Sequence, residues 1–238
     1  MSEAHVAGKK SNQIAAIIFQ KRITSKPLYK GIVMINNSIT YPQFEIKNNL
    51  HVAQSLNEFY RNDARQYYQY SSQELYNAAI KEFLYDIQQH FPFREYQVVQ
   101  TFETTYNRTP LLSIYYDRYE FSAGAHGTTT RASNTWFVPN GAGVELSNLF
   151  EGSYYKGIIY EYITNEINKQ MEQGDSYYFD DYAKKVFRYF DENNYYITDS
   201  GFAFYFPQYT IAAYAQGIPV FLIPYDVFGH GLKQRFFE

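Results

Sequence analysis

The spacing of apolar residues changes period several times along the chain, and each change predicts an element. Residues 14–24 and 29–41 are rich in Ile, Val, Tyr and Thr and are separated by Ser25-Lys26-Pro27. They read as a pair of strands. Tyr41-Pro42-Gln43-Phe44 is expected to end that pairing, because proline has no N–H to give a ladder. From residue 47 to 89 the apolar positions fall three and four apart: Leu50, Ala53, Leu56, Phe59, Tyr60, Ala64, Tyr67, then Leu75, Ala78, Ala79, Phe83, Leu84, Ile87. That period predicts an amphipathic helix or two, with Ser71-Ser72 as break or N-cap.

Residues 94–107 and 110–122 return to strand alternation around an Asn107-Arg108-Thr109-Pro110 turn. The loop Ala123-Gly124-Ala125-His126-Gly127 follows, then a strand over Thr128–Val138 and a Pro139-Asn140-Gly141 turn. Helical spacing predicts Tyr154–Met171, with Tyr155, Ile158, Ile159, Tyr162, Ile163 and Ile167 as its stripe, and a shorter helix over Asp180–Asn193. Tyr195–Thr198 and Phe202–Phe206 flank Asp199-Ser200-Gly201 as a hairpin. Ile218–Ile223 is the last strand, and Pro224 opens a short terminal helix. Strands and helices in blocks predict an α+β fold: a mainly antiparallel sheet carrying a long N-terminal helix and two helices from the C-terminal half. The expected organisation is a leader over 1–13, then α+β subdomains over 14–110 and 111–238 that share one core.

Composition narrows the function classes. With 238 residues, 45% hydrophobic and 19% charged, the chain folds rather than staying disordered. A net charge of −3, with no basic run beyond Lys9-Lys10 and Lys21-Arg22, argues against nucleic acid as partner. Zero cysteines exclude disulfides, thiolate metal sites and cysteine nucleophiles. No apolar run nears the roughly 20 residues of a membrane span, and no signal peptide is visible; a native N-terminal anchor missing from this chain remains an expectation. The 27 Tyr and 20 Phe are an excess. Codon bias explains most of it, so only clustering can mark a special subset.

Candidate chemistry is sparse. His5, His51, His90, His126 and His230 lack ligand spacing, so no metal or other cofactor is expected. Asn140-Gly141-Ala142-Gly143 begins like a dinucleotide loop but has Leu146 where the third glycine belongs. Asp180-Asp181 reads as the acidic start of a helix before it reads as half of a catalytic pair. His126, between Ala125 and Gly127, reads as a loop-bracing residue ahead of a general base. No catalytic residue is assigned. The most informative stretch runs from Phe202 to Pro219. A strand ends at Pro207, small residues then present Tyr209 and Tyr214, and Gly217 and Pro219 restart the sheet. Aromatics on a loop held by a rigid sheet are common recognition surfaces.

Three stretches in order carry a resemblance: Ala123-Gly124-Ala125-His126-Gly127, Leu146-Ser147-Asn148-Leu149-Phe150, and Phe204-Tyr205-Phe206-Pro207-Gln208-Tyr209 through Ala215-Gln216-Gly217-Ile218-Pro219. With them the chain resembles a bacterial domain family of unknown function. That family occurs in the ectodomain of the lysozyme-sensing anti-sigma-V factor and ahead of the catalytic domain of peptidoglycan deacetylase C. The motifs cover about residues 111–226, and the N-terminal half is similar to the companion domain that precedes them. The resemblance implies an extracytoplasmic location and a lysozyme-like protein or peptidoglycan fragment as partner. Deacetylase activity does not follow, since no deacetylase domain is present. Three readings stand: an envelope sensor or binding module using Pro207, Tyr209 and Tyr214; an enzyme on cell-wall glycan with carboxylates not yet paired; and a structural spacer.

Overall fold

The computed structural model describes residues 13–174 and 177–237. The leader expected at the N-terminus, with His5 and Lys9-Lys10, falls on residues outside that range, up to residue 12. The N-terminal half supplies β1 (Ile17–Ser25), a small hairpin β2 (Leu28–Tyr29) and β3 (Ile32–Val33), β4 (Ile35–Glu45), helices α1 (Leu50–Tyr70) and α2 (Tyr76–Gln89), and β5 (Tyr96–Arg108). Then come β6 (Leu111–Phe121), β7 (Thr128–Phe137), β8 (Ala142–Gly143), α3 (Tyr155–Glu172), α4 (Tyr182–Tyr189), β9 (Tyr195–Ile197), β10 (Gly201–Tyr205) and β11 (Val220–Pro224). A 3-10 helix over Tyr225–Gly231 follows Pro224.

A six-stranded sheet, β1-β4-β5-β6-β7-β8, draws strands from both halves of the chain. All its pairings are antiparallel except β4 with β5, which the long helical crossover between them makes parallel. The helical span from Leu50 to Gln89 lies on one face. Leu56 and Tyr60 pack with Phe44, Leu112 and Ile114, and Tyr67, Leu75 and Phe83 pack with Ile35, Ile39 and Val98. Each such apolar side chain contributes about 1.5–3 kcal/mol on burial. Asn49 fixes the start of α1: its side-chain oxygen accepts from the Val52 N–H at 3.3 Å, and its amide donates to the Val138 carbonyl at 3.2 Å.

Behind the large sheet sits a second one, β9-β10-β11. Alternate residues of β10 face opposite ways. Ala203 and Tyr205 join Tyr115 and Tyr196 between the sheets, while Phe202 and Phe204 join Ile159, Ile163 and Ile167 of α3. The layers therefore run helix, sheet, sheet, helix. Gly201 lets β10 and β11 approach closely, since a Cβ there would stand 2.1 Å from the Ile223 carbonyl oxygen.

Two expectations are corrected. Pro42 does not end the pairing: β4 continues to Glu45, with Pro42 opposite Gln20. Beyond Ile39 the strand has lost β5 on its other side, and Pro42 shares the parity of Phe44, whose N–H and C=O face that vacated side. There Phe44 is served by the Asn57 amide at 2.6 and 3.0 Å, and a missing N–H at Pro42 costs no ladder bond. Ser71-Ser72 interrupts the α-helical bonding, as a break there would, but it is not an N-cap. The helix passes through a single π turn, Ser71–Leu75, and the buried Ser71 hydroxyl donates to the Tyr68 carbonyl at 2.9 Å.

Candidate functional site

Two loops about eighty residues apart in sequence meet at one end of the sandwich. The first joins β6 to β7 and contains Gly124, His126 and Gly127; the second leaves β10 at Phe206 and returns to β11 at Pro219. Gly127 is buried, and a Cβ on it would lie 2.5 Å from both the Tyr119 ring and the Glu120 carbonyl oxygen. Only glycine lets this loop fold back so closely over β6. Gly124 turns the chain at φ 82°, and its carbonyl accepts from the Arg94 guanidinium, which also covers the Phe121 ring at 4.9 Å. The first loop is thereby anchored to the N-terminal half.

The second loop clamps onto it. The Tyr214 hydroxyl donates to the Gly127 carbonyl at 2.6 Å, and its ring stacks on the exposed His126 imidazole, with centroids 3.8 Å apart and planes 24° off parallel. The Thr129 N–H donates to the Gln208 side-chain oxygen at 3.1 Å. The His126 Nδ1 lies 3.3 Å from the same Gly127 carbonyl oxygen. Gly217 takes φ 69°, ψ −138°, a region almost reserved for glycine, and donates its N–H to the Tyr214 carbonyl at 3.0 Å. Pro219 is buried, and its carbonyl receives the Phe206 N–H at 3.0 Å.

Tyr209 is the residue this scaffold projects. It is 65% exposed and sits at φ 68°, a left-handed conformation that costs a bulky L-residue about 1–3 kcal/mol. Thr210 holds the turn, donating its N–H at 3.2 Å and its hydroxyl at 2.6 Å to the Pro207 carbonyl. Phe179 supports the Tyr209 ring edge-on at 5.8 Å, and the Lys185 ammonium lies 4.2 Å over the Phe179 ring. Pro207 is exposed beside it. Tyr214, by contrast, is half-buried. Pro207 and Tyr209 thus form the open surface, and Tyr214 ties the same loop to the β6–β7 loop.

Sequence reasoning did not single out Phe179 or Gln208. Gln208 lies inside a motif already in view, whereas Phe179 reaches Tyr209 only through the tertiary fold. Among the described residues, no three His, Asp or Glu side chains converge as a metal-ligand set. No helix among them is long and apolar enough to cross a membrane.

The likenesses to known proteins fall on the same two parts of the chain. The family described as "Protein of unknown function (DUF3298)" matches residues 147–226, and the family described as "Deacetylase PdaC" matches residues 33–129. No functionally curated protein matches the chain. Among solved structures, a DUF3298 family member from Bacteroides fragilis NCTC 9343 superposes with a TM-score of 0.71 at 16% identity, over 94% of this chain and 96% of that one. A DUF3298 family protein from Pseudomonas aeruginosa PAO1 gives 0.60 at 13% identity, over 94% and 99%. These two show the fold. The chain is thus similar to the PdaC family over residues 33–129 and to the DUF3298 family over residues 147–226, and it has the fold of the solved DUF3298 proteins.

Proposed function

We propose that this chain is a non-catalytic recognition module of the bacterial cell envelope, and that it docks a protein partner on the Pro207–Tyr209 surface. One observation carries the reading: an exposed tyrosine is held in a strained backbone conformation on a loop braced by Tyr214, His126 and Phe179. Strain of that kind persists only where surrounding contacts over-determine it, and it gathers at ligand clamps. A tyrosine already fixed in place loses little entropy on binding, which is the property of an interface anchor.

The resemblance in sequence names the first candidate, a lysozyme-like protein, and the second, a peptidoglycan fragment; it is also the ground for an extracytoplasmic location. A protein partner buries roughly 1,200–2,000 Å² and leans on a few aromatic anchors. Titration calorimetry against a lysozyme and against muropeptides tests the reading. Binding of lysozyme that weakens at least tenfold in Tyr209→Ala supports it. Binding of neither ligand removes the partner, and turnover of muropeptides on incubation replaces the module with an enzyme.

A further inference from the structure

The two edges of the six-stranded sheet are unlike. At one edge β1 exposes Lys21 and Arg22, charged residues of the kind that keep a sheet from pairing with a stranger. At the other, β8 covers only Trp136 and Phe137, so β7 is an open edge from Thr129 to Asn134. Its sequence there, Thr-Arg-Ala-Ser-Asn after Thr129, has no proline and no lysine. The only charge is Arg131, whose guanidinium turns away from the edge into a bidentate pair with Asp117 at 2.7 and 2.7 Å and lies 3.8 Å over the Tyr115 ring. That inward-pointing charge is one protective device; the stretch has no bulge, and nothing else in it blunts the edge.

The register shows which backbone groups this leaves outward. The Thr129 N–H donates to Gln208 and the Thr135 carbonyl accepts from the Val144 N–H at 2.8 Å, so the odd-numbered residues of β7 face away from β6. Those two bonds bracket the open stretch and already imitate strand pairing at each end. Between them the N–H and C=O groups of Arg131 and Ser133 have no backbone partner among the described residues. A recess of about 240 Å³ runs alongside, lined in part by Ser133, Asn134, Glu145, Asn193 and Tyr195.

We infer that the β7 edge is an acceptor for an extended peptide segment of a partner protein, which adds as the next strand alongside Arg131 and Ser133. Main-chain bonds to a sheet edge supply affinity in this mode, and alternate side chains supply selectivity. One row of the incoming strand would lie beside Thr130, Ala132 and Asn134 on the α1 face; the other would enter the recess past Asn193 and Glu145. The site is separate from Tyr209, so either can fail without the other.

The test uses the full chain and linear heptapeptides selected on it from a random display library. Selected peptides are expected to slow amide exchange at Arg131 and Ser133 at least tenfold, and to lose at least tenfold in affinity when alternate peptide amides are N-methylated. Tyr209→Ala should leave their binding unchanged. The inference is overturned if no peptide is selected, if the bound peptides leave those two amides unprotected, or if N-methylation is without effect in both registers. Protection of the same amides by self-association in the absence of peptide would give the edge to a second copy of this chain and equally overturn it.

Discussion

Gly127→Ala tests whether the two loops are mechanically one unit. The added methyl would overlap the Tyr119 ring and the Glu120 carbonyl oxygen, each at 2.5 Å. The ring tip can swing aside; the carbonyl belongs to β6 and cannot move without disturbing its pairing with β7. The loop must therefore lift by about 1 Å, an overpacking cost of about 1–3 kcal/mol. Lifting also stretches the 2.6 Å bond from Tyr214 to the Gly127 carbonyl, worth about 0.5–1.5 kcal/mol. Together these predict a loss of about 1.5–4.5 kcal/mol. Urea denaturation measures it, and a cycle with Tyr214→Phe isolates the shared part: once the hydroxyl is gone, Gly127→Ala should cost less by about the value of that bond. A loss below about 0.5 kcal/mol, the range of neutral surface changes, would refute the close-approach argument. Full additivity in the cycle would separate the two loops.

Elsewhere the expectations are as follows. Gly201→Ala should be more damaging than Gly127→Ala, because its Cβ meets only strand backbone, 2.1 Å from the Ile223 oxygen; loss of the cooperative thermal transition at moderate temperature would show it. Asp117→Asn removes the partner of a guanidinium whose side chain is only 11% exposed and should cost about 3 kcal/mol or more in chemical denaturation. Stability should also fall in alkali. Burial pushes Tyr178 and Tyr205 up to about 12, so their contribution is complete below the unfolded tyrosine value of about 10 and drains away as pH climbs from there toward 12. The share of phenolate absorbance lost in the double variant Tyr178→Phe, Tyr205→Phe should be the share that rises with unfolding.

Much of this architecture was legible in the residues. Three-and-four spacing placed the long helix and α3, and alternation placed β5, β6 and β7, because burial on one face forces those periods. Local chemistry misled where tertiary context supplied what it lacked. Pro42 reads as a stop, yet Asn57 from α1 serves the neighbouring backbone at a place where no strand lies alongside. Ser71-Ser72 reads as a cap, yet packing carries the helix on through a π turn. The strands of the second sheet were placed, as the hairpin Tyr195–Thr198 with Phe202–Phe206 and the strand Ile218–Ile223, but not that they form a separate sheet: β10 is buried on both sides, Gly201 to Tyr205 alike, so no alternation marks which face meets the large sheet. For the site, Gly124, His126, Gly127, Gly217 and Pro219 announced themselves as turn chemistry. That Tyr214 would reach across to Gly127 while Tyr209 stood free could not be read from spacing, since both depend on how two distant loops dock.

The central claim is that a projecting tyrosine on this braced loop pair is the anchor for a protein partner. Calorimetric titration of a lysozyme into wild-type chain and into Tyr209→Ala, with matched thermal melts, tests it most directly. The account predicts saturable binding by the wild type and at least tenfold weaker binding by the variant, about 1.4 kcal/mol, at an unchanged melting temperature. Equal affinity for both proteins would contradict it.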